Sequence, residues 1–320
     1  MVPASFGPNN MSAQKRRFVQ GAVNHCYQKG VNGEVFFYNF SDYLVMYTLF
    51  CVAARRHQVK VLALVLMPDH LHHATIAQDV TELSAFVQDY TSHFASAHNH
   101  LCRRDRPLFL SPFGSAPEVG DKAVRSALVY LGNNGPERKL SVKARDYRWS
   151  FLAYYQNPHP FSEPLKLASA SQSMRRAVSV VKDRSKKGLA LKYQTLQWMF
   201  KPLCQREKLQ LVDYIINSYN VIDYEKAISF FEDYDRMLDA ISISKGSAHD
   251  IQEEFVGWDD RVYGLMSKAL TEQEHLADIH DIFDFPDSER KRYIPCLRIK
   301  TRATEKQIMK FLRLLPENEK

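Results

Sequence analysis

An α+β fold, with an antiparallel sheet, helices laid on it and an all-α C-terminal extension, is what this sequence predicts. Three observations carry the expectation. The first half alternates short apolar runs with longer stretches of helical periodicity, in the order β-β-α-β-β-α-(β)-α. After residue 165 the strand signals fade and helical periodicity dominates. Over 320 residues, 45% of them hydrophobic, there is material for a sizeable core, yet no apolar run long enough to cross a membrane.

Taken in order, residues 18–27 are β-compatible and give the first strand. Gly30 and Gly33 mark a turn, and 35–38 is a short apolar strand or turn. Ser41 and Asp42 signal the N-cap of a helix running to 56. Residues 59–67 and 70–76 read as paired strands or as one strand bulged at Pro68-Asp69. Asp79 or Thr81 caps a second long helix, to 103. Residues 107–113 are a loop or strand, and 114–120 are irregular. Asp121 caps a third helix over 122–133, which Asn134-Gly135-Pro136 is expected to stop. Further helices are expected around 167–184, 192–199, 203–217, 223–241, 248–256, 258–269 and 272–283. A last one lies within 301–315, with a Thr cap and apolar Ile308, Phe311, Leu312 and Leu315. The expected organisation is a disordered lead-in over 1–17, a first domain over 18–160, a helical extension over 161–289, and a basic C-terminal helix over 290–320 that could contact DNA.

The lead-in has no apolar segment of the signal-peptide kind. Five cysteines, widely spaced and odd in number, argue against a disulfide framework or a zinc finger and for a reducing cytoplasm. The net charge of +7 is segregated: residues 166–192 carry +7, 220–289 carry −13, and 290–313 carry +8. Basic blocks of this kind suit a polyanion, nucleic acid first; mutual neutralisation inside the fold is the alternative. The acidic stretch is expected to pack on the basic blocks.

Chemistry concentrates in Leu64-Val65-Leu66-Met67-Pro68-Asp69-His70-Leu71-His72. In a strand, residues i and i+2 share one face, so His70 and His72 offer half of a metal site. His73 points to the other face. Asp69 reads as capping a turn. On the third helix, Tyr130 and Asn134 are four apart and share a face, beside an apolar stripe. A phenol beside a metal could attack a phosphate, although most of the 16 tyrosines must be packing or surface residues.

Residues 25–155 also carry four motifs in a fixed order: His25-Cys26-Tyr27-Gln28-Lys29-Gly30, Met67-Pro68-Asp69-His70-Leu71-His72, Tyr130-Leu131-Gly132-Asn133-Asn134, and Asp146-Tyr147-Arg148-Trp149-Ser150. In this the chain resembles the single-tyrosine, IS200/IS605-like transposases of the HUH superfamily, in particular the REP-associated tyrosine transposases. The resemblance implies an HUH, ferredoxin-like nuclease fold for 18–160. It makes His70, His72 and Asn134 ligands of Mg²⁺ or Mn²⁺, and Tyr130 a nucleophile that forms a 5′-phosphotyrosine link with single-stranded or hairpin DNA. No nucleotide cofactor is then needed, in keeping with the lack of a P-loop. A departure is Gly135, which separates Asn134 from Pro136 where the family often has Asn-Pro.

For DNA contact the sequence offers Lys29 and His25 at the first strand, Arg103 and Arg104 after the second helix, and Arg138, Lys139 and Arg148 after the third. A satisfied core histidine or a solvated cation is the alternative reading of each. A cytoplasmic, nucleoid-associated protein without a membrane partner is expected, as monomer or homodimer. In a dimer, Tyr130 of one chain could face His70 and His72 of the other. The rival readings are a domesticated, non-catalytic hairpin-binding protein and an RNA-binding α+β protein.

Overall fold

The structure, a computed structural model, describes residues 18–244 and 259–314. The expected lead-in, the expected helix over 248–256 and Leu315 lie outside the described residues. The architecture is the expected one. The first half runs β1 (Val23–Lys29), α1 (Phe40–Arg56), β2 (Lys60–Met67), β3 (His70–Ile76), α2 (Val80–Leu101), β4 (Gly114–Glu118) and α3 (Asp121–Glu137). The second half is helical: α4 (Gln172–Lys186), α5 (Tyr193–Phe200), α6 (Gln205–Tyr219), α7 (Tyr224–Ile228), α8 (Tyr234–Ile243), α9 (Arg261–Gln273), α10 (Asp287–Arg290), α11 (Ile294–Thr301) and α12 (Glu305–Leu312). No described helix is long and apolar enough to cross a membrane.

The sheet has four antiparallel strands in the order β2-β3-β1-β4. Register fixes which side chains share a face. Tyr27 stands opposite His72, Lys29 opposite His70, and His25 opposite both Ala74 and Ala116. These side chains therefore lie on one face, and α3 packs there, with Tyr130 against His25 and His72. The other face carries His73, which meets Phe50 of α1 and Phe86 and Tyr90 of α2. Phe50, Phe86 and Phe94 are fully buried in this layer, each contributing about 1.5–3 kcal/mol.

The exposed edge of β2 is sealed by backbone. Leu66 N–H donates to Trp149 O at 2.9 Å, Phe151 N–H to Leu64 O at 2.9 Å, and Asp223 N–H to Val61 O at 2.7 Å. Trp149 stacks on Tyr43 at 4.4 Å, and Tyr147 donates to Leu66 O at 2.6 Å. The Asp146-to-Ser150 motif thus serves the sheet edge.

Four local expectations are corrected. Residues 114–118 are a strand, β4, whose Gly114 lets the Tyr27 ring lie against its backbone; a Cβ there would fall 1.9 Å from that ring. Helix α3 continues through Pro136, and Gly135 is set by contact, since a Cβ would stand 2.8 Å from Tyr147 Cβ. The helix expected over 223–241 is broken, because the Asp233 carboxylate caps a new start at α8, accepting from Arg236 N–H at 2.8 Å. The helix expected over 272–283 gives way to a 3₁₀ turn over Ile279–Asp284 with its own capping box.

Two apolar cores result. The larger joins the sheet, α1–α3 and residues up to Ile241 of α8, so side chains on both sides of residue 160 share it. The smaller gathers Val262, Met266, Ile279, Leu297, Ile308, Phe311 and Leu312 around Val35 and Tyr38 of the first half. Residues 259–314 are therefore one helical unit, combining acidic and basic segments.

Candidate active site

The strand spacing places His70 and His72 on one face with ring centroids 5.0 Å apart. Each ring is held through Nδ1. His70 Nδ1 lies 2.6 Å from Asp69 Oδ1, and His72 Nδ1 lies 3.1 Å from His25 Nε2. A carboxylate can only accept here, so the short contact calls for the proton on His70 Nδ1, and a ring holding that proton alone would keep a lone pair on Nε2. Behind His25, Glu118 Oε1 lies 3.9 Å from its Nδ1, beyond hydrogen-bond distance. Imidazoles steered in this way by an outer carboxylate or imidazole are typical of metal ligands. His70 Nε2 is buried and has no hydrogen-bond partner among the described residues, which fits a nitrogen kept for a cation.

Tyr130 lies against His72 and His25. Its ring centroid is 5.6 Å from both His72 and His25. All these residues belong to one chain, so phenol and imidazoles meet in cis. Asn134, one turn along α3, donates its amide to Tyr130 O at 3.0 Å and makes no hydrogen bond with either histidine. Its carbonyl Oδ1 is the atom that a cation could use.

Around Asp69 the charges are dense. Burial pushes its carboxyl up, but His70, Lys310 and Arg138 outweigh this and hold it well below the usual carboxylate range. Asp260 goes the other way: burial, then the neighbouring Asp69, push it up to about 7. Asp69 was expected to cap a turn; here it orients His70.

The expected DNA contacts fare unevenly. His25 is fully buried and steers His72, so it does not face a DNA backbone. Arg104 is buried in an ion pair with Glu34, which Arg106 also meets at 3.2 Å. Arg148 pairs with buried Asp213 and lies over the Phe161 ring at 4.4 Å. Arg138 lies 3.6 Å from Asp260. These three arginines are held by structural carboxylates. Lys29 sits over the Tyr27 ring at 5.5 Å. Arg103 is exposed, 3.0 Å from Asp284, and Lys139 is exposed just beyond α3. From the acidic stretch only Asp260 and Asp284 figure in these pairs, with Arg138 and Arg103, while Arg175, Arg176, Lys182 and Lys186 on α4 are exposed.

Among the described residues, His98, Cys102 and His280 bring ligand atoms within 4.8 Å of one another, a spacing that could hold a metal ion. Arg313 already occupies those donors, at 3.3 Å from His98 Nε2 and 3.4 Å from Cys102 Sγ. A guanidinium there repels a cation, and the group acts as a buried latch between α2 and the C-terminal unit.

No family model and no curated protein matches the sequence. A solved structure of a REP-associated tyrosine transposase bound to a REP hairpin is similar at 17% identity and a TM-score of 0.39, over 45% of this chain and 84% of that one. That degree of likeness carries no argument about chemistry, which rests on the residues themselves.

The sequence singled out His70, His72, Tyr130 and Asn134. It missed the supporting roles of His25 and Asp69 and the approach of Lys310 and Asp260. An acidic residue next to the first histidine was the available signal for Asp69.

Proposed function

We propose that this chain cleaves and rejoins single-stranded DNA near hairpins, with a divalent cation and a tyrosine nucleophile. The observation that carries the reading is Tyr130 set against His72, the neighbour of His70, in a pair whose Nδ1 atoms are both held from behind. His70, His72 and the carbonyl of Asn134 would hold the ion, Mg²⁺ or Mn²⁺. When bound, such an ion neutralises charge on the scissile phosphate and favours the phenolate form of a nearby tyrosine.

The chain's own part is positional. Asp69 and His25 hold the imidazole planes. Helix α3 presents the Tyr130 oxygen. That oxygen forms a bond to phosphorus as the P–O3′ bond breaks, and the phenolic proton ends on the 3′-oxygen. The product is a 5′-phosphotyrosine link and a free 3′-OH, which can reverse the step without ATP. His70 and His72 expose only 2% and 0% of their surface, with α3 packed on that face. Exposed Lys139 and Arg103, and the basic face of α4, are the surfaces offered to the DNA backbone.

The test is a covalent-adduct assay with end-labelled hairpin DNA bearing single-stranded flanks, in Mn²⁺ or Mg²⁺. The reading expects a denaturant-resistant protein–DNA band that is lost with chelator and in Tyr130→Phe. DNA binding without an adduct, over many hairpins and both ions, would leave a domesticated hairpin-binding protein. The turn of the Asn134 amide onto its own helix is the observation on that side.

A further inference from the structure

The C-terminal unit reaches the candidate site at two points. Lys310 on α12 sets Nζ 3.5 Å from Asp69 Oδ2, the carboxylate whose other oxygen meets His70 Nδ1 at 2.6 Å. Gly33 makes room for it, since a Cβ there would lie 2.9 Å from that ammonium. Asp260, just ahead of α9, donates its backbone N–H to Arg138 O at 3.0 Å, at the C-cap of α3. One unit therefore touches the turn that carries His70 and the end of the helix that carries Tyr130.

Geometry gives Lys310 a particular task. With an imidazole N–H on one oxygen and an ammonium on the other, the Asp69 carboxylate has both oxygens assigned. Its plane is then fixed, and so is the ring it holds. Side-chain exposures of 13% for Lys310 and 12% for Asp69 place the pair where solvent screens it less than at the surface. Without the ammonium the carboxylate can turn, and the His70 proton can redistribute between Nδ1 and Nε2.

We propose that Lys310 is a positioning residue for this site: through Asp69 it keeps His70 in the orientation and tautomer that present Nε2 to a cation. The proposal deepens the reading of His70 as a metal ligand and rests on it. It also assigns to the C-terminal unit a part in building the site, in addition to any contact with DNA.

The experiment is nitrogen-15 NMR of histidine-labelled full-length protein, wild type against Lys310→Met and Lys310→Arg, with the His70 signals assigned by their loss in His70→Gln. Calorimetric titration with Mn²⁺ accompanies it. The wild type should show His70 protonated on Nδ1 alone. Lys310→Met should show averaged ring shifts at His70, an unmoved signal from His93, an exposed residue of α2, and Mn²⁺ binding weaker by about tenfold. Lys310→Arg should restore both. A His70 pattern that is the same in Lys310→Met as in wild type, or a wild-type His70 not protonated on Nδ1, overturns the proposal. If Mn²⁺ binds no form of the protein while the His70 pattern still follows Lys310, the positioning role stands and the metal reading fails.

Discussion

A histidine can serve a site without touching what the site binds, and His25 shows how. The sequence offered it as a DNA contact, since it sits on a strand that ends in Lys29 and Gly30. Strand register decides otherwise, because β1 pairs with β3 so that His25 Nε2 falls 3.1 Å from His72 Nδ1. Register depends on long-range pairing and is not written in either strand alone. His25→Ala should therefore weaken Mn²⁺ binding about 10–100-fold by calorimetry, with hairpin affinity little changed. Equal Mn²⁺ affinity with lost hairpin binding would return His25 to the DNA backbone. Asp69 tells the same story, a residue whose task is set by a lysine 241 positions away.

At the scale of elements, what was legible followed from periodicity. β2 announced itself by its apolar run before Pro68, β3 as its partner beyond that turn, and α2 by its Asp79 cap; α1 is capped by Asn39 rather than by Ser41 or Asp42, because Asp42 closes the capping box from inside the helix. β4 did not, because Gly-Ser-Ala-Pro-Glu lacks the branched and aromatic residues that favour strands; it is a strand because β1 pairs with it. Its Pro117 is tolerable on an edge strand. The last helix was legible in its Thr304 cap and in its apolar Ile308, Phe311 and Leu312. Its direction was not: those positions are buried, and the basic Lys310 and Arg313 turn inward, to Asp69 and to His98 and Cys102.

The latch that docks this unit titrates. Burial opposes a charge on His280, but Asp42 at 3.0 Å from Nε2, and Asp278, override it and raise its pKa well above the usual histidine value. A raised folded value means that the stabilisation is whole below the unfolded pKa of about 6.5 and is lost as pH rises through the folded value. His98 works at the other end. Burial and Arg313 hold it neutral, so stability also falls as pH drops below about 6.5, where the unfolded chain gains a proton that the folded one refuses. Thermal midpoints followed from pH 6 upwards should decline in the wild type and stay flatter, from a lower start, in His280→Asn. Parallel curves would remove His280 from the latch.

Over the whole molecule, the sequence conveyed an α+β half and a helical half, but not how they join. Residues beyond 160 enter the same core as the sheet, and the smaller core closes around Val35 and Tyr38 rather than standing apart. Charge segregation was visible as blocks; its use was not, because pairs such as Arg103–Asp284 and Arg138–Asp260 link segments far apart in sequence. Tyr130 was one of 16 tyrosines until the fold set its ring 5.6 Å from His72. The measurement that tests the central claim most directly is therefore peptide mapping by mass spectrometry of the protein–DNA adduct formed in Mn²⁺. A nucleotide 5′-phosphate carried by Tyr130 is the predicted result. An adduct on any other tyrosine, or none in a protein that binds the hairpin and Mn²⁺, would contradict the account.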